Sequence, residues 1–134
     1  MLSRYQMSRH RSPEMGPLPE GIRQDARWRT HHILRPTQEM VDEFLVDTAA
    51  DWKEFKNAYQ KLLDERFRDD QAPFDELAKL ATDKDVYLGC NCPTRKNPDV
   101  RHCHTWLALE FMHKKYPQLT VKFPAVSSGK SEEE

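Results

Sequence analysis

The stretch that most constrains the fold is Asp85–Lys115. It begins with a short apolar run, continues through a polar loop and ends in an apolar helical segment. Residues 86–88 have the length and composition of a buried strand, which ends near Cys90. Beyond the loop, large apolar residues predict a helix over residues 104–115, which Pro117 ends. Because all three cysteines and three of the six histidines lie in this stretch, we expect any chemical site to be here.

The rest of the chain supplies the elements of a small α/β domain. An edge strand is predicted over residues 26–34, and a final strand over residues 119–123. Helices are predicted from capping signals and the apolar periods that follow them, beginning at Thr37, Thr48 and Pro73. Together these elements predict a short, mostly parallel sheet packed with helices.

The domain is expected to span residues 25–124, with disordered segments on both sides. Residues 1–24 carry no hydrophobic period and several prolines and glycines, and residues 125–134 form a polar tail. The first thirteen residues hold three arginines and no acid, a composition that also occurs in mitochondrial presequences. The odd number of cysteines and the lack of a secretory leader favour reduced thiols and a cytoplasmic location instead.

Composition narrows the classes of function. No apolar run approaches the ~20 residues that span a bilayer. With four glycines, the chain lacks the glycine-rich loops of dinucleotide and phosphate sites, and neither a serine-hydrolase elbow nor a His-Glu-x-x-His zinc helix occurs. The net charge is −1, but residues 86–124 hold six basic residues against two acidic ones. This part of the chain therefore suits an anionic small molecule or a nucleic-acid fragment.

A thiol-dependent site is the first hypothesis. Cys103 lies where the predicted helix begins, beside His102 and His104, and a helix N-terminus with neighbouring imidazoles lowers the pKa of a thiol. Cys103 is therefore the predicted nucleophile, and His104 its base or orienting group. Cys90 is expected to lie near Cys103, where the two thiols can exchange with a disulfide. The structural alternative is that Cys103 is buried as a small apolar residue.

A zinc site is the second hypothesis, because the same residues have the chemistry of zinc ligands. Three sulfurs and one imidazole would come from Cys90, Cys92, Cys103 and His104, or from His102 in place of His104. The Cys-x-Cys spacing is tighter than the usual two to four intervening residues, and adjacent Cys-His ligands are awkward at a helix start. The residues alone leave zinc and thiol chemistry open.

A non-catalytic binding domain is the third hypothesis. Arg95, Lys96 and Arg101 lie in the loop before the predicted helix, and with Thr105 at the helix start they are the predicted ligand-binding residues. The basic loop would then contact nucleic acid or a protein without chemistry. The near-neutral net charge is unlike that of dedicated nucleic-acid binders.

Two segments carry a family resemblance. DWKEFKNAYQKLLDE, Asp51–Glu65, has a Trp, a Phe three residues later and a Tyr four beyond it, and VYLGCNCPTRKNPDVRHCHTWLAL, Val86–Leu109, contains the pair Cys103-His104. They resemble a helix and a strand–loop–helix of the YeaO-like proteins, family 488 of the domains of unknown function. The resemblance covers about residues 48–112. It implies an α/β fold and a site at the Cys-His pair, with Thr105 where some members carry Arg, and it implies no reaction.

Overall fold

The structure, a computed structural model, describes residues 1–8, 13–43, 49–91 and 99–124, in which strands and helices combine into an α/β fold. The strands are β1 (Leu2–Gln6), β2 (Ile22–Asp25) and β3 (Val86–Cys90). The α-helices are α1 (Gln38–Glu43), α2 (Ala49–Asp69), α3 (Ala72–Asp83) and α4 (His104–Lys115). Short 3₁₀ turns occur at Pro13–Met15 and Val100–His102.

The three strands form one parallel sheet in the order β1-β3-β2. Leu2 and Ile22 both pair with Val86, so β1 and β2 flank the start of β3 in matched register. A central parallel strand is covered on both faces, which is why β3 consists of an almost continuous apolar run. The predicted α/β domain with a short parallel sheet is therefore confirmed.

The structure corrects the sequence-based prediction for the N-terminal part of the chain. Residues 1–24 were expected to be disordered, but β1 and most of β2 lie there, and residues 26–34 form turns rather than an edge strand. Short strands such as β1 carry little periodicity of their own. Their backbone groups are satisfied by pairing with β3, a tertiary contact that overrides local propensity.

The predicted final strand is reduced to a single bridge between Leu2 and Val121. Leu2 donates its N–H to the carbonyl of Thr120 at 2.9 Å and accepts the N–H of Lys122 at 2.8 Å. A longer parallel ladder would next require an N–H from residue 124, and Pro124 has none. The pairing therefore stops after one repeat. The predicted tail at residues 125–134 lies outside the described residues.

The helices follow their sequence signals closely. Thr37 caps α1, since its Oγ1 accepts the N–H of Met40 at 3.1 Å, and Pro73 lies in the first turn of α3. The predicted bounds of α4, residues 104–115, are confirmed. The proposed cap at Thr48 lies outside the described residues. These helices are placed by their own capping and periodicity, and the core then orders them against the sheet.

Aromatic contacts join three of the helices, α2, α3 and α4. Phe67 of α2 lies edge-on to Phe74 of α3 and to Phe111 of α4, with ring centroids 5.2 and 5.7 Å apart, and Phe74 and Phe111 are 5.5 Å apart. Such pairs each contribute about 0.5–1.5 kcal/mol beyond the burial of their area. This cluster holds α4 in place, and the start of α4 carries the candidate site. In the part of the chain that the structure describes, no helix has the length and apolar character needed to cross a membrane.

Candidate functional site

Two cysteines and a histidine meet where the carboxyl end of β3 faces the start of α4. Cys90 is the last residue of β3, Cys103 is the N-cap of α4, and His104 is its first residue. Their ligand atoms lie within 4.8 Å of one another. All three are buried, with 8%, 3% and 7% of their surfaces exposed, respectively. The carboxyl edge of a parallel sheet is where α/β proteins bind ligands, and the predicted position of the site agrees with this.

The ring of His104 is fixed from both ends. Its Nε2 lies 2.8 Å from the carbonyl oxygen of Ala26, and its Nδ1 lies 3.8 Å from the sulfur of Cys90. A carbonyl only accepts, so Nε2 carries the proton and Nδ1 is directed at the thiols. Ala26 is itself tied to the sheet, because its N–H donates to the carbonyl of Gly89 at 3.1 Å. The edge of the sheet thus sets the orientation of the imidazole.

The two thiols also control the charge of His104. Burial, the largest influence, disfavours the imidazolium, but hydrogen bonds and charge interactions with Cys103 and Cys90 outweigh it and raise the pKa of His104 to about 10. A buried imidazolium in turn favours a thiolate beside it, because opposite charges stabilise each other strongly at this separation. The positive charge of His104 therefore lies directly beside the two thiols.

Arg4 of β1 is a site residue that the sequence analysis missed. Its Nε donates to Thr105 Oγ1 at 3.0 Å, and one terminal guanidinium nitrogen lies 4.0 Å from the sulfur of Cys103. The same hydroxyl lies 3.2 Å from that sulfur. Arg4 is buried with only 7% of its surface exposed. The segment around Arg4 has no hydrophobic period, so its sequence gave no sign that Arg4 belongs to the site. Arg4 reaches the site because β1 pairs with the central strand β3.

The start of α4 adds a further positive influence at Cys103. The backbone of Cys103 is extended, and its carbonyl accepts the N–H of Trp106 at 3.0 Å, so the helix begins directly after this residue. The first N–H groups of a helix and its dipole favour a negative charge near the N-cap. Arg4 and the helix start therefore act on Cys103 in the same direction.

Of the other predicted site residues that the structure describes, Arg101 and His102 lie apart from this cluster, whereas Thr105 adjoins it. Arg101 pairs with Asp99, whose carboxylate accepts two guanidinium hydrogen bonds at 3.0 and 2.8 Å, and its side chain is 54% exposed. Its neighbour His102 stacks on Trp52 with ring centroids 4.9 Å apart, so the histidine of the cluster is His104. Thr105 is fully buried against Arg4. The remaining predicted residues, Cys92, Arg95 and Lys96, lie outside the described residues.

A second histidine, His32, is half-buried near His104 and is held in its neutral form. Its Nδ1 accepts the N–H of Leu34 at 3.1 Å, so its Nε2 must donate the 2.6 Å hydrogen bond to Gln24 Oε1. Burial and, after it, the charge of His104 lower the pKa of His32 to about 4, with a smaller lowering from Arg35 and an opposing effect from Asp25. Of these two histidines, His104 is therefore set up to be charged and His32 to be neutral.

Comparison with known proteins places the chain in a family. The family model DUF488-N3a, described as the active DUF488-N3 subclade, matches residues 9–116. No curated protein and no solved structure matches the chain. The matched range contains all three residues of the Cys/His cluster and most of the helices and strands. The chain therefore belongs to the DUF488 family of domains of unknown function, in its DUF488-N3 subclade.

Proposed function

We propose that the Cys/His cluster is a thiol-dependent site that acts on an anionic ligand, with Cys103 as its nucleophile. The observation that carries this proposal is the buried guanidinium of Arg4, 4.0 Å from the sulfur of Cys103. A positive charge at this distance stabilises a thiolate at Cys103, and thiolates are the nucleophilic form of cysteine.

His104 would then serve as the proton donor of the reaction. The reaction class that fits is a nucleophilic displacement, in which the Cys103 sulfur forms a bond to an electrophilic centre and the bond to the leaving group breaks. The leaving group keeps the bonding electron pair and takes a proton from the His104 imidazolium. Water then attacks the same centre, gives up its proton to His104 and releases the Cys103 thiolate. Arg4 remains beside the sulfur, where its positive charge favours negative charge on the ligand.

Cys90 is assigned a supporting role. Its sulfur lies 3.8 Å from His104 Nδ1, so it helps to keep His104 protonated between turnovers. Cys90 and Cys103 are both in the reduced state, and a reducing, cytoplasmic location would keep them so.

The test is the pH dependence of alkylation of each cysteine by iodoacetamide, followed site by site by peptide mass spectrometry. An ordinary cysteine becomes reactive with a midpoint near ~8.5. We expect the midpoint for Cys103 to lie at least about one pH unit lower, because Arg4 and His104 stabilise its thiolate. The rates for each cysteine are normalised to their own high-pH plateau, so slow access of the reagent to a buried thiol lowers them all alike. A midpoint for Cys103 near that of a free thiol would contradict the proposal.

A zinc site is the second candidate, and the geometry of His104 favours it. Zinc-bound histidines usually donate their other ring N–H to a carbonyl or carboxylate, as His104 Nε2 does to Ala26. The three ligand atoms lie within 4.8 Å of one another, against about 3.5–3.8 Å around a tetrahedral zinc with Zn–S bonds of about 2.3 Å. The guanidinium beside Cys103 opposes a second cation at that sulfur, which is why we rank zinc below thiol chemistry.

Elemental analysis of purified protein separates the two candidates. A zinc site predicts about one zinc per chain, with loss of the metal in Cys90→Ser and a large loss of stability on chelation. Cys92→Ser reports whether the fourth ligand proposed from the sequence takes part. Folded protein that contains no zinc and keeps its melting temperature in chelator would exclude the zinc site and leave the thiol proposal standing.

A further inference from the structure

A groove of about 300 Å³ lies between α2 and α4, on a different face of the α4 start from the thiols. Its lining comes from both helices and from the 3₁₀ turn: Trp52, Lys56, Arg101, His102, Trp106 and Glu110, with Leu107 at its base. The backbone at Cys103 is extended, so the side chains of residues 102 and 103 leave the chain in opposite directions. His102 thus lines the groove while Cys103 turns inward.

A row of parallel rings ends in this groove. Tyr59 stacks on Phe55, Phe55 on Trp52 and Trp52 on His102, with centroid separations of 5.9, 5.6 and 4.9 Å and interplanar angles of 16°, 20° and 26°. Trp106 forms another part of the wall and is held by Phe123, with ring centroids 4.9 Å apart. Rigid, half-buried aromatic rings around a cavity provide a surface on which a flat aromatic ligand can stack.

The charged groups of the groove are arranged around these rings. Lys56 and Arg101 are cationic, and the guanidinium of Arg101 is held in one orientation by the two hydrogen bonds to Asp99. Glu110 is the acidic group of the lining. Cations bind phosphate, whereas a carboxylate accepts hydrogen bonds from sugar hydroxyls or from the exocyclic amine of a base. A single ligand that uses a flat ring, a phosphate and neutral donors together is a nucleotide.

We propose that this groove binds a nucleotide, with the base against His102 and Trp106 and the phosphate at Lys56 and Arg101. Its volume is at the small end of the range for small-molecule sites, which suits one nucleotide rather than a dinucleotide. This binding site goes beyond the proposed function, because it shares no side chain with the thiol cluster. The groove and the cluster are connected through the backbone between residues 102 and 104 and through the ring row, whose inner end, Tyr59, lies edge-on to His104.

The test is a titration of the full chain with 5′-AMP, followed by the indole N–H signals of its three tryptophans in NMR spectra. We expect saturable shifts for Trp52 and Trp106, with Trp28 as the internal control because it does not line the groove. Adenosine and ribose 5-phosphate each lack one of the two contacts and should bind at least about tenfold more weakly than AMP. A second titration uses a short single-stranded oligonucleotide without terminal phosphates, and it shows whether the groove binds a nucleotide within a nucleic acid. Saturable binding of AMP or of the oligonucleotide supports the proposed site.

Matched variants locate the contacts. Lys56→Gln should weaken AMP binding about threefold to tenfold, whereas Lys53→Gln, an exposed lysine on the same helix, should leave it unchanged. His102→Ala should weaken binding, and His102→Phe should restore it by keeping a ring. Cys103→Ser should bind AMP normally, so the result is independent of the thiol proposal. The inference would be overturned if the Trp52 and Trp106 signals did not shift with AMP up to about 10 mM or with the oligonucleotide. Equal effects of the two lysine variants on AMP binding would also overturn it.

Discussion

Arg4 and Thr105 are 101 positions apart in the chain, yet the guanidinium Nε of Arg4 donates a 3.0 Å hydrogen bond to Thr105 Oγ1 inside the protein. The bond joins the edge strand β1 to the first turn of α4 and holds the Arg4 guanidinium against the sulfur of Cys103. It therefore couples the folding of the N-terminal strand to the electrostatics of the candidate site. A defect in β1 is expected to affect the chemistry of Cys103.

Replacing Arg4 should alter the reactivity of Cys103 and the stability of the fold. Arg4→Met removes the positive charge and leaves the Thr105 hydroxyl without this partner, so we expect a higher pH midpoint for alkylation of Cys103. The expected loss in the free energy of unfolding is about 1–3 kcal/mol. Arg4→Lys keeps the charge and should shift the midpoint less. Arg23→Met, on the exposed face of β2, is the control, and a shift of equal size in that variant would argue against a specific role for Arg4.

The half-buried, neutral ring of His32 should make the fold sensitive to acid. The pKa of His32 in the folded protein is about 4, below its usual value near ~6.5 in an unfolded chain. Below about pH 6.5 the unfolded chain binds a proton that the folded protein excludes, so stability should fall between about pH 6.5 and pH 4, by at most about 3 kcal/mol. His32→Asn removes the titrating ring and keeps an acceptor for the N–H of Leu34. Urea unfolding at a series of pH values should therefore show a smaller loss in the variant, and parallel curves for the two proteins would contradict this explanation.

Gly21 should tolerate no side chain. Its φ is +138°, and a Cβ there would lie 2.7 Å from the backbone oxygen of Asp85, an atom that cannot move away without breaking the sheet. Gly21→Ala is therefore expected to destabilise the protein by about 1–3 kcal/mol or more. Gly16 also has a positive φ, of +71°, but has open space around it, so Gly16→Ala should cost only the backbone strain, about 1–2 kcal/mol. Equal losses in urea unfolding would show that the contact with Asp85 is unimportant.

The hydroxyl of Tyr59 should support the fold below the thiol site. It donates to the carbonyl of Leu34 at 2.6 Å, and its ring lies edge-on to His104 with centroids 5.8 Å apart. Tyr59→Phe keeps the ring and leaves a buried carbonyl unsatisfied, so we expect a loss of about 1–3 kcal/mol in the free energy of unfolding. Tyr116→Phe removes a hydrogen bond of the same length to Asp75 near the surface and should cost less than about 1 kcal/mol. The order of these two losses, measured by urea unfolding, is the decisive result.

Local sequence signals were enough to predict the elements with strong patterns. The apolar run of β3, the bounds of α4 and the cap of α1 all follow from residues close together in the chain, since capping and periodicity act over a few positions. The position of Cys90 at a strand end and of Cys103 at a helix start followed from the same signals. The order of the strands and the packing of α2 against α4 could not be predicted from these local signals, because they depend on contacts between distant segments.

What the sequence by itself determined is a parallel α/β domain with its chemistry-bearing residues between a buried strand and a helix. Only the tertiary structure decided which of them meet: β1 pairs with β3 and brings Arg4 to Cys103, while His104 turns inward and His102 stacks on Trp52. The physical reason is that a strand as short as β1 gains its stability from the sheet it joins, and not from its own five residues. The candidate site thus combines a locally encoded Cys-His pair with a cation whose position depends on the whole fold.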